Sequence, residues 1–313
     1  MSLRIGWIGT GVIGGSCASR LLDASYQVAV YTRTREKAEK LFAAGAEWCQ
    51  DPYELAKRCD VVFSTVGYPY DVDEIFFGER GVLNAWKDEP LCADGRPKIF
   101  VDMTTSSPTL AQKIDAAATK AGFRSLDAPV SGGDVGAKNG TLSIMVGGEK
   151  ETLDRVTPIL QNLGTNIRLM GGSGAGQRTK MANQILIAGG MIGVCEALLY
   201  AYRAGLDLED VMAAVSQGAA GSWSLSNYGP RMLRGDFKPG FYVEHFVKDM
   251  GIALDDAQAM QLSLPGLALV KQLYVALIAQ GGKRKGTQAL VQALADVNKI
   301  DAFKDGEPTI VME

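Results

Sequence analysis

Strands alternate with helices through the first half of the chain, and this alternation stops at a glycine cluster at residues 171–176. Short apolar runs such as those at residues 3–9 and 60–64 are typical of buried strands, and segments of helical periodicity separate them. Such alternation indicates a mainly parallel sheet with helices on both faces. The first half is therefore predicted to be an α/β domain.

Only helical periodicity follows the glycine cluster. The periodic segments cover about residues 175–204, 207–217, 243–260, 266–279 and 287–299, with loops at 218–221 and 234–240. A chain of 313 residues is long enough for two domains. We therefore predict an all-helical second domain, with the domains at residues 1–170 and 171–313 joined by a long inter-domain helix.

The composition excludes several classes of function. A net charge of -3 gives no reason to expect nucleic acid or an anionic membrane as partner. The five cysteines are scattered without a C-x-x-C pair and there is one histidine, which argues against a disulfide framework or a zinc site. We therefore expect no metal site. Reduced thiols and the lack of a visible signal peptide predict a cytoplasmic protein.

The apolar run at residues 185–202 is about long enough to cross a bilayer. However, Glu196 interrupts it, three glycines weaken it, and no basic flank of the usual kind follows. A helix buried between the domains is therefore the favoured interpretation.

A glycine-rich motif lies between the first strand and the first helix. Its residues match G-x-G-x-x-G: Gly9, Thr10, Gly11, Val12, Ile13 and Gly14. In this context the first glycine permits a tight turn, the second lets a pyrophosphate approach the backbone, and the third lets helix and strand pack closely. The helix N-terminus adds N–H groups and partial positive charge. The motif predicts a Rossmann-type, doubly wound dinucleotide-binding domain.

The end of the second strand indicates which dinucleotide binds. An acidic residue there would bind the ribose of NAD, but the segment reads Tyr31-Thr32-Arg33-Thr34-Arg35. Arg33, with Arg35 as a second candidate, can bind a 2'-phosphate through charge-assisted hydrogen bonds, and the Thr32 hydroxyl can add a donor. NADP is therefore the predicted cofactor, with NAD as the alternative.

Three further strands end in segments suited to a ligand. Ligands of open α/β sheets lie beyond the carboxyl ends of the strands, which here carry residues 65–67 and 102–105. Ser131, Gly132 and Gly133 follow a later strand and offer a hydroxyl and N–H groups to a small carboxylate. On spacing alone, a plain turn fits each segment, and at residues 131–133 it is the better interpretation.

Lys180 and Asn183 follow the glycine cluster and lie three residues apart, so a helix places them on one face. We predict that this segment links the domains and carries the catalytic acid or base. A lysine that extends along the helix surface into solvent is the alternative.

These blocks together resemble the β-hydroxyacid dehydrogenase family, which contains 3-hydroxyisobutyrate dehydrogenases, tartronate semialdehyde reductases and glyoxylate/succinic semialdehyde reductases. The resemblance covers essentially the whole chain. Four blocks match in order, at residues 9–14, 127–133, 171–183 with a G-x-x-x-K-x-x-N core, and 248–250.

The resemblance implies a role for each matched position. Lys180 would be the catalytic acid/base, and Asn183 would orient the substrate or Lys180. The substrate carboxylate would be held by Ser131, Gly132 and Gly133. The cofactor would be contacted by Val66, Gly67 (in place of the family's proline), Thr105 and, from the helical domain, Lys248.

We therefore expect an NADP(H)-dependent oxidoreductase that transfers a hydride between nicotinamide and a small hydroxy acid or aldehyde acid. Reduction of glyoxylate or succinic semialdehyde is favoured, and oxidation of 3-hydroxyisobutyrate is the nearest alternative. The presence of Lys180 argues against the related imine reductases, which usually lack this lysine. The presence of Lys180 together with Asn183 argues against an NADP-binding module without turnover. Besides its small-molecule carboxylate substrate, the expected partner is a second copy of the chain, in a homo-dimer or homo-tetramer.

Overall fold

The structure, a computed structural model, describes residues 3–309. The chain divides into two compact units, the first ending at Lys180 and the second beginning at Met181. The change from one unit to the other therefore falls inside a helix, ten residues beyond the predicted division at 170/171, which stays a prediction.

The first unit is built from strands alternating with helices. Its strands are β1 Ile5–Ile8, β2 Val28–Tyr31, β3 Glu47–Trp48, β4 Val61–Ser64, β5 Ile99–Asp102, β6 Arg124–Asp127, β7 Val130–Ser131, β8 Leu142–Gly147 and β9 Gly164–Gly171. Its helices are α1 Val12–Asp23, α2 Glu39–Ala43, α3 Pro52–Arg58, α4 Pro69–Phe77, α5 Val82–Trp86, α6 Pro108–Lys120, α7 Gly133–Asn139 and α8 Lys150–Leu160, with a 3-10 turn at Arg35–Ala38.

The nine strands form one sheet in the order β3-β2-β1-β4-β5-β6-β8-β7, with β9 beside β8. All pairs from β3 to β6 are parallel, and β8 runs antiparallel to both β6 and β7. The order of β1 to β6 is that of a dinucleotide-binding doubly wound sheet. The predicted Rossmann-type fold class is therefore confirmed.

Both faces of the central strands β1, β4 and β5 are buried, as expected for parallel strands covered by helices. Side chains alternate between two apolar clusters: Trp7, Phe63 and Val101 belong to one, and Val62 and Phe100 to the other. The rings of Trp7 and Phe63 stack with their centres 5.2 Å apart. This packing holds β1, β4 and β5 side by side, so that their carboxyl ends lie at one edge.

The second unit is helical. The helix α9 Ala175–Arg203 leads into it, and α10 Leu208–Ser216, α11 Trp223–Leu233, α12 Val243–Ala259, α13 Pro265–Ala279 and α14 Leu290–Val297 follow, with 3-10 turns at Gly282–Arg284 and Thr287–Ala289. The helix α11 is not predicted from the sequence, because Gly229 and Pro230 interrupt its apolar periodicity. The Ser222 side chain caps this helix by accepting the Leu225 N–H at 3.1 Å.

The long helix α9 buries only part of its surface. Ala188, Met191, Cys195 and Leu198 recur at helical spacing and lie in the core of the second unit, whereas Leu186 and Tyr200 on the same helix are exposed. Within the second unit α9 therefore buries one face, and its predicted burial between the domains stays a prediction. By length and composition alone α9 also qualifies as a membrane span, but core helices of soluble proteins pass the same test.

Gly14 should be intolerant of any side chain, because a Cβ there would lie 2.1 Å from the carbonyl oxygen of Gly9. We expect Gly14→Ala to lower the free energy of unfolding by about 1–3 kcal/mol, the usual cost of overpacking. Gly11→Ala is the matched control, since among the described residues nothing lies within 4 Å of a Cβ built there. Urea denaturation of both apoproteins checks this, and equal losses would contradict it.

Candidate functional site

The glycine motif forms the connection between β1 and α1. Gly9 and Thr10 follow the strand, Gly11 is the N-cap of α1, and Val12, Ile13 and Gly14 form its first turn. Among the described residues no side chain caps this helix. Its N-terminal N–H groups and partial positive charge can therefore bind an anion, which fits a dinucleotide pyrophosphate.

Three threonine and serine hydroxyls near the carboxyl ends of neighbouring strands are buried without a hydrogen-bond partner among the described residues. They belong to Thr10 after β1, Thr65 after β4 and Ser106 after β5. Buried polar groups are normally hydrogen-bonded, so an unpaired set at one sheet edge indicates a place for a polar ligand. The residues present thus fit the predicted dinucleotide.

Arg33 lies two residues beyond β2 and forms an ion pair with Asp71. Its NH1 atom is 3.0 Å from Asp71 Oδ1, while its side chain remains 76% exposed. The guanidinium of Arg35 instead lies over the rings of Phe42 and Trp48, at 5.7 and 5.6 Å from their centres. Of the two candidate arginines, Arg33 is therefore the one held beside the loop that follows β4.

Asp71 is a residue that the sequence analysis missed. It lies in the first turn of α4, where its other carboxylate oxygen accepts the Tyr68 N–H at 3.1 Å. The Asp71 carboxylate therefore caps α4 through one oxygen and orients Arg33 through the other. Asp71 is 38 residues from Arg33 in the chain, and no sequence pattern connects the two.

The predicted cofactor residues Val66, Gly67 and Thr105 lie on two adjacent strand-end loops. Thr104 ties these loops together, because its Oγ1 accepts the Val66 N–H at 3.0 Å. The Thr104 N–H in turn donates to Asp102 Oδ1 at 3.0 Å, which also accepts the Ser64 hydroxyl at 2.8 Å. Burial raises the pKa of Asp102 to about 6, against the lowering effect of these hydrogen bonds.

Ser131, Gly132 and Gly133 lie at the junction of β7 and α7. Ser131 ends the strand, Gly132 is the N-cap with φ 126°, and Gly133 begins the helix. These residues therefore form a strand-to-helix connection, and only glycine adopts the Gly132 conformation readily. Since β6 and β7 both run antiparallel to β8, Ser131 lies toward the edge at which β6 ends.

Lys180 is buried in α9, and the start of that helix is fixed by Asp127 at the end of β6. Asp127 accepts the Gly174 N–H and the Gln177 N–H, each at 2.8 Å. Burial raises the pKa of Asp127, and the two backbone hydrogen bonds oppose that shift. In the sequence Asp127 is only the first residue of the matched block at residues 127–133, and no role is predicted for it.

Asn183 and Lys248 lie in the second unit, where two further side chains link them. Asn183 Nδ2 donates to Gln184 Oε1 at 2.7 Å, and Gln184 Nε2 donates to Asp249 Oδ2 at 2.6 Å. Asp249 Oδ1 lies 3.0 Å from Lys248 Nζ. Asp249 thus pairs with Lys248 and is joined through Gln184 to Asn183, and neither Asp249 nor Gln184 is predicted from the sequence to have a role in the site.

Two family models match nearly the whole chain. Residues 4–172 match the NAD-binding domain of 6-phosphogluconate dehydrogenase. Residues 174–294 match a domain described as the NAD-binding domain of NADP-dependent 3-hydroxyisobutyrate dehydrogenase.

Relatives match over similar lengths. A probable 3-hydroxyisobutyrate dehydrogenase-like protein of Arabidopsis thaliana is 50% identical over 95% of this chain and 86% of its own. The 2-hydroxy-3-oxopropionate reductase of Escherichia coli is 38% identical over 93% of this chain and 97% of its own. A solved structure described as Psf3 in complex with NADP+ and 2-OPP matches with a TM-score of 0.83 at 27% identity, over 93% of this chain and 99% of that one.

Both family models and these relatives agree with the Rossmann-type sheet, the helical second unit and the ordered blocks in the sequence. The chain therefore belongs to the β-hydroxyacid dehydrogenase family and is an NAD(P)-dependent oxidoreductase.

Proposed function

We propose that the protein reduces short aldehyde acids, such as glyoxylate or succinic semialdehyde, with NADPH as the preferred hydride donor. The observation that carries the proposal is the anchoring of α9: the helix that bears Lys180 begins on hydrogen bonds to Asp127 at the end of β6. A lysine on a helix fixed to the cofactor edge of the sheet can act on a substrate held there.

When bound, the nicotinamide would supply the hydride, and the protein would have to stabilise the negative charge that develops on the carbonyl oxygen. In reduction, Lys180 enters as an ammonium, the ordinary form of lysine at neutral pH. It polarises the carbonyl and donates a proton to the oxygen. Oxidation would instead need a neutral lysine to accept the hydroxyl proton, which requires a much less basic side chain.

The substrate carboxylate is proposed to bind at Ser131, Gly132 and Gly133. Gly132 is the N-cap of α7, and among the described residues no side chain caps that helix. Gly132 and Gly133 are exposed, and Ser131 is half-buried. Exposed N–H groups at a helix N-terminus and a nearby hydroxyl suit a small anion.

The aldehyde-acid class has support from the Escherichia coli relative, whose named substrate, 2-hydroxy-3-oxopropionate, is itself an aldehyde acid. Oxidation of 3-hydroxyisobutyrate is the second candidate, supported by the name of the Arabidopsis relative and of the family model for residues 174–294. We further propose a cytoplasmic homo-dimer or homo-tetramer, in which exposed Leu186 and Tyr200 of α9 are candidates for subunit contacts.

The assay that tests the function follows NADPH absorbance with glyoxylate, 2-hydroxy-3-oxopropionate and succinic semialdehyde, repeated with NADH. The reverse reaction is followed with 3-hydroxyisobutyrate and NADP. We expect the highest kcat/KM with NADPH and an aldehyde acid. Faster oxidation of 3-hydroxyisobutyrate would contradict the proposal and identify a 3-hydroxyisobutyrate dehydrogenase. Binding of NADPH without turnover of any of these substrates would indicate an NADP-binding module.

Replacing the proposed acid should abolish chemistry without removing the cofactor. We expect Lys180→Ala to lower kcat by about 100- to 10,000-fold, the usual contribution of a positioned acid or base, with the Kd for NADPH nearly unchanged. Lys120→Ala, at an exposed lysine that ends α6, is the control and should behave as wild type. Near-normal kcat in Lys180→Ala, measured by stopped-flow and steady-state assays, would remove Lys180 from the mechanism.

The preference for NADP should depend on Arg33 and not on Arg35. Arg33→Asp should lower the NADP/NAD ratio of kcat/KM by about 10- to 100-fold, because a hydrogen bond to a charged group contributes about 1.5–3 kcal/mol. Arg35→Ala is the matched control, since that guanidinium packs on Phe42 and Trp48. An unchanged ratio in Arg33→Asp, or an equal fall in Arg35→Ala, would contradict the assignment.

Recognition of the substrate carboxylate should depend on Ser131. We expect Ser131→Ala to raise KM for glyoxylate by about 10-fold or more, the value of one charge-assisted hydrogen bond, and to leave KM for a neutral aldehyde of similar size nearly unchanged. Ser143→Ala, at the residue paired with Ser131 across β7 and β8, is the control. Equal effects on charged and neutral aldehydes would exclude the carboxylate role.

A further inference from the structure

Gln177 is fully buried in the first unit, and both ends of its side-chain amide are hydrogen-bonded to one loop. Its Oε1 accepts the Ser106 N–H at 2.9 Å, and its Nε2 donates to the Thr104 carbonyl at 2.7 Å. The partners fix the orientation of the amide, because an N–H can only donate and a carbonyl can only accept. The two partners flank Thr105, the residue proposed to contact the cofactor.

The backbone of the same residue is fixed from another strand. The Gln177 N–H donates to Asp127 Oδ2, so this one residue joins the loop after β5 to the end of β6. Gly176 beside it packs directly on backbone, since a Cβ there would lie 2.4 Å from the Met145 carbonyl oxygen. The first turn of α9 therefore has little freedom to shift along or away from the sheet.

The contacts of Thr104 extend this connection to β4. Thr104 accepts the Val66 N–H through its hydroxyl while its carbonyl accepts from Gln177. The loop after β4, the loop after β5 and the first turn of α9 thus belong to one hydrogen-bonded set. Two of these three segments carry residues proposed to bind the cofactor.

Lys180 follows Gln177 by three residues, which is less than one helical turn and about 4.5 Å along the axis. Residues at this spacing share a helix face. Where Gln177 fixes the helix, it also fixes the backbone of Lys180. We propose that Gln177 is a positioning residue for the reaction, which holds Lys180 in register with the cofactor loop at residues 104–106.

The inference rests on the proposed role of Lys180 and deepens it. A positioning residue and a residue that only supports the fold differ in what their replacement does to the folded enzyme. A residue that only stabilised the first unit would, when replaced, lower stability and leave the rate of the folded enzyme unchanged. A positioning residue lowers kcat in the folded enzyme, since a misplacement of about 1 Å can cost about 100-fold in rate.

The test uses two variants of the full-length protein. Gln177→Met keeps the length of the side chain and removes both hydrogen bonds. Gln177→Glu keeps the shape of the side chain but can make both hydrogen bonds only when its carboxyl is protonated, because the acid then donates to the Thr104 carbonyl and accepts from the Ser106 N–H, whereas the carboxylate cannot donate. The buried site and the nearby carboxylates of Asp127 and Asp102 would raise the pKa of a glutamate at position 177. Its carboxyl group would therefore become protonated as pH falls.

For Gln177→Met we expect kcat for aldehyde-acid reduction to fall by about 30- to 100-fold, with the Kd for NADPH changed by less than about threefold. A primary deuterium isotope effect with deuterated NADPH should increase, because hydride transfer becomes more rate-limiting. For Gln177→Glu, kcat divided by that of wild type should rise as pH is lowered from 8 toward 5, whereas in Gln177→Met this ratio should stay flat.

Ser125→Ala is the matched control. It removes a hydrogen bond to Asp115 Oδ1 of 3.1 Å near the opposite end of β6, and it should alter stability without altering kcat. A kcat for Gln177→Met within threefold of wild type would overturn the proposal, and so would the absence of pH-dependent recovery in Gln177→Glu. A wild-type enzyme without aldehyde-acid turnover, or an active Lys180→Ala, would instead contradict the proposed function.

Discussion

The rest of the site in the first unit depends on the buried carboxylate of Asp127. The first N–H groups of a helix have no partners within the helix, and they carry a partial positive charge that a carboxylate stabilises. Asp127 accepts two of these N–H groups at the start of α9, at 2.8 Å each. The start of α9 is consequently determined by the end of β6, and β6 is determined by the packing of the sheet.

Two buried carboxyl groups at the ends of adjacent strands have an energetic cost. Burial, with a small contribution from the charge of Asp127, raises the pKa of Asp102 to about 6, and hydrogen bonds from Thr104 and Ser64 oppose this shift. A carboxyl group with a higher pKa in the folded chain than in the unfolded chain favours folding more as pH falls. Asp102 therefore contributes least to stability above about pH 6, where it is ionised, and gains as pH falls toward 3.8. The buried carboxyl groups at this sheet edge therefore lower the stability of the folded protein at neutral pH, as is common at sites that bind ligands.

The sequence predicted the parts of the site that depend on local chemistry. The glycine motif lies where a strand meets a helix because its backbone requirements are local, and the spacing of Lys180 and Asn183 is a property of one helix. The contacts that fix these parts are not local. Arg33 pairs with Asp71 across 38 residues, and Ser106 pairs with Gln177 across 71 residues. Neither Asp71 nor Gln177 has a neighbour that reveals its partner, so only the fold identifies them.

The choice of glutamine at position 177 follows from the loop that it binds. The loop presents a carbonyl at Thr104 and an N–H at Ser106, and a primary amide is the side-chain end that can donate to the first while it accepts from the second. A carboxylate would repel the carbonyl, and an ammonium would leave the N–H without a partner. Both bonds flank Thr105, so the loop that carries this residue is joined directly to the first turn of α9, three residues before Lys180. The backbone of the proposed acid is therefore held by the same loop that is proposed to contact the cofactor.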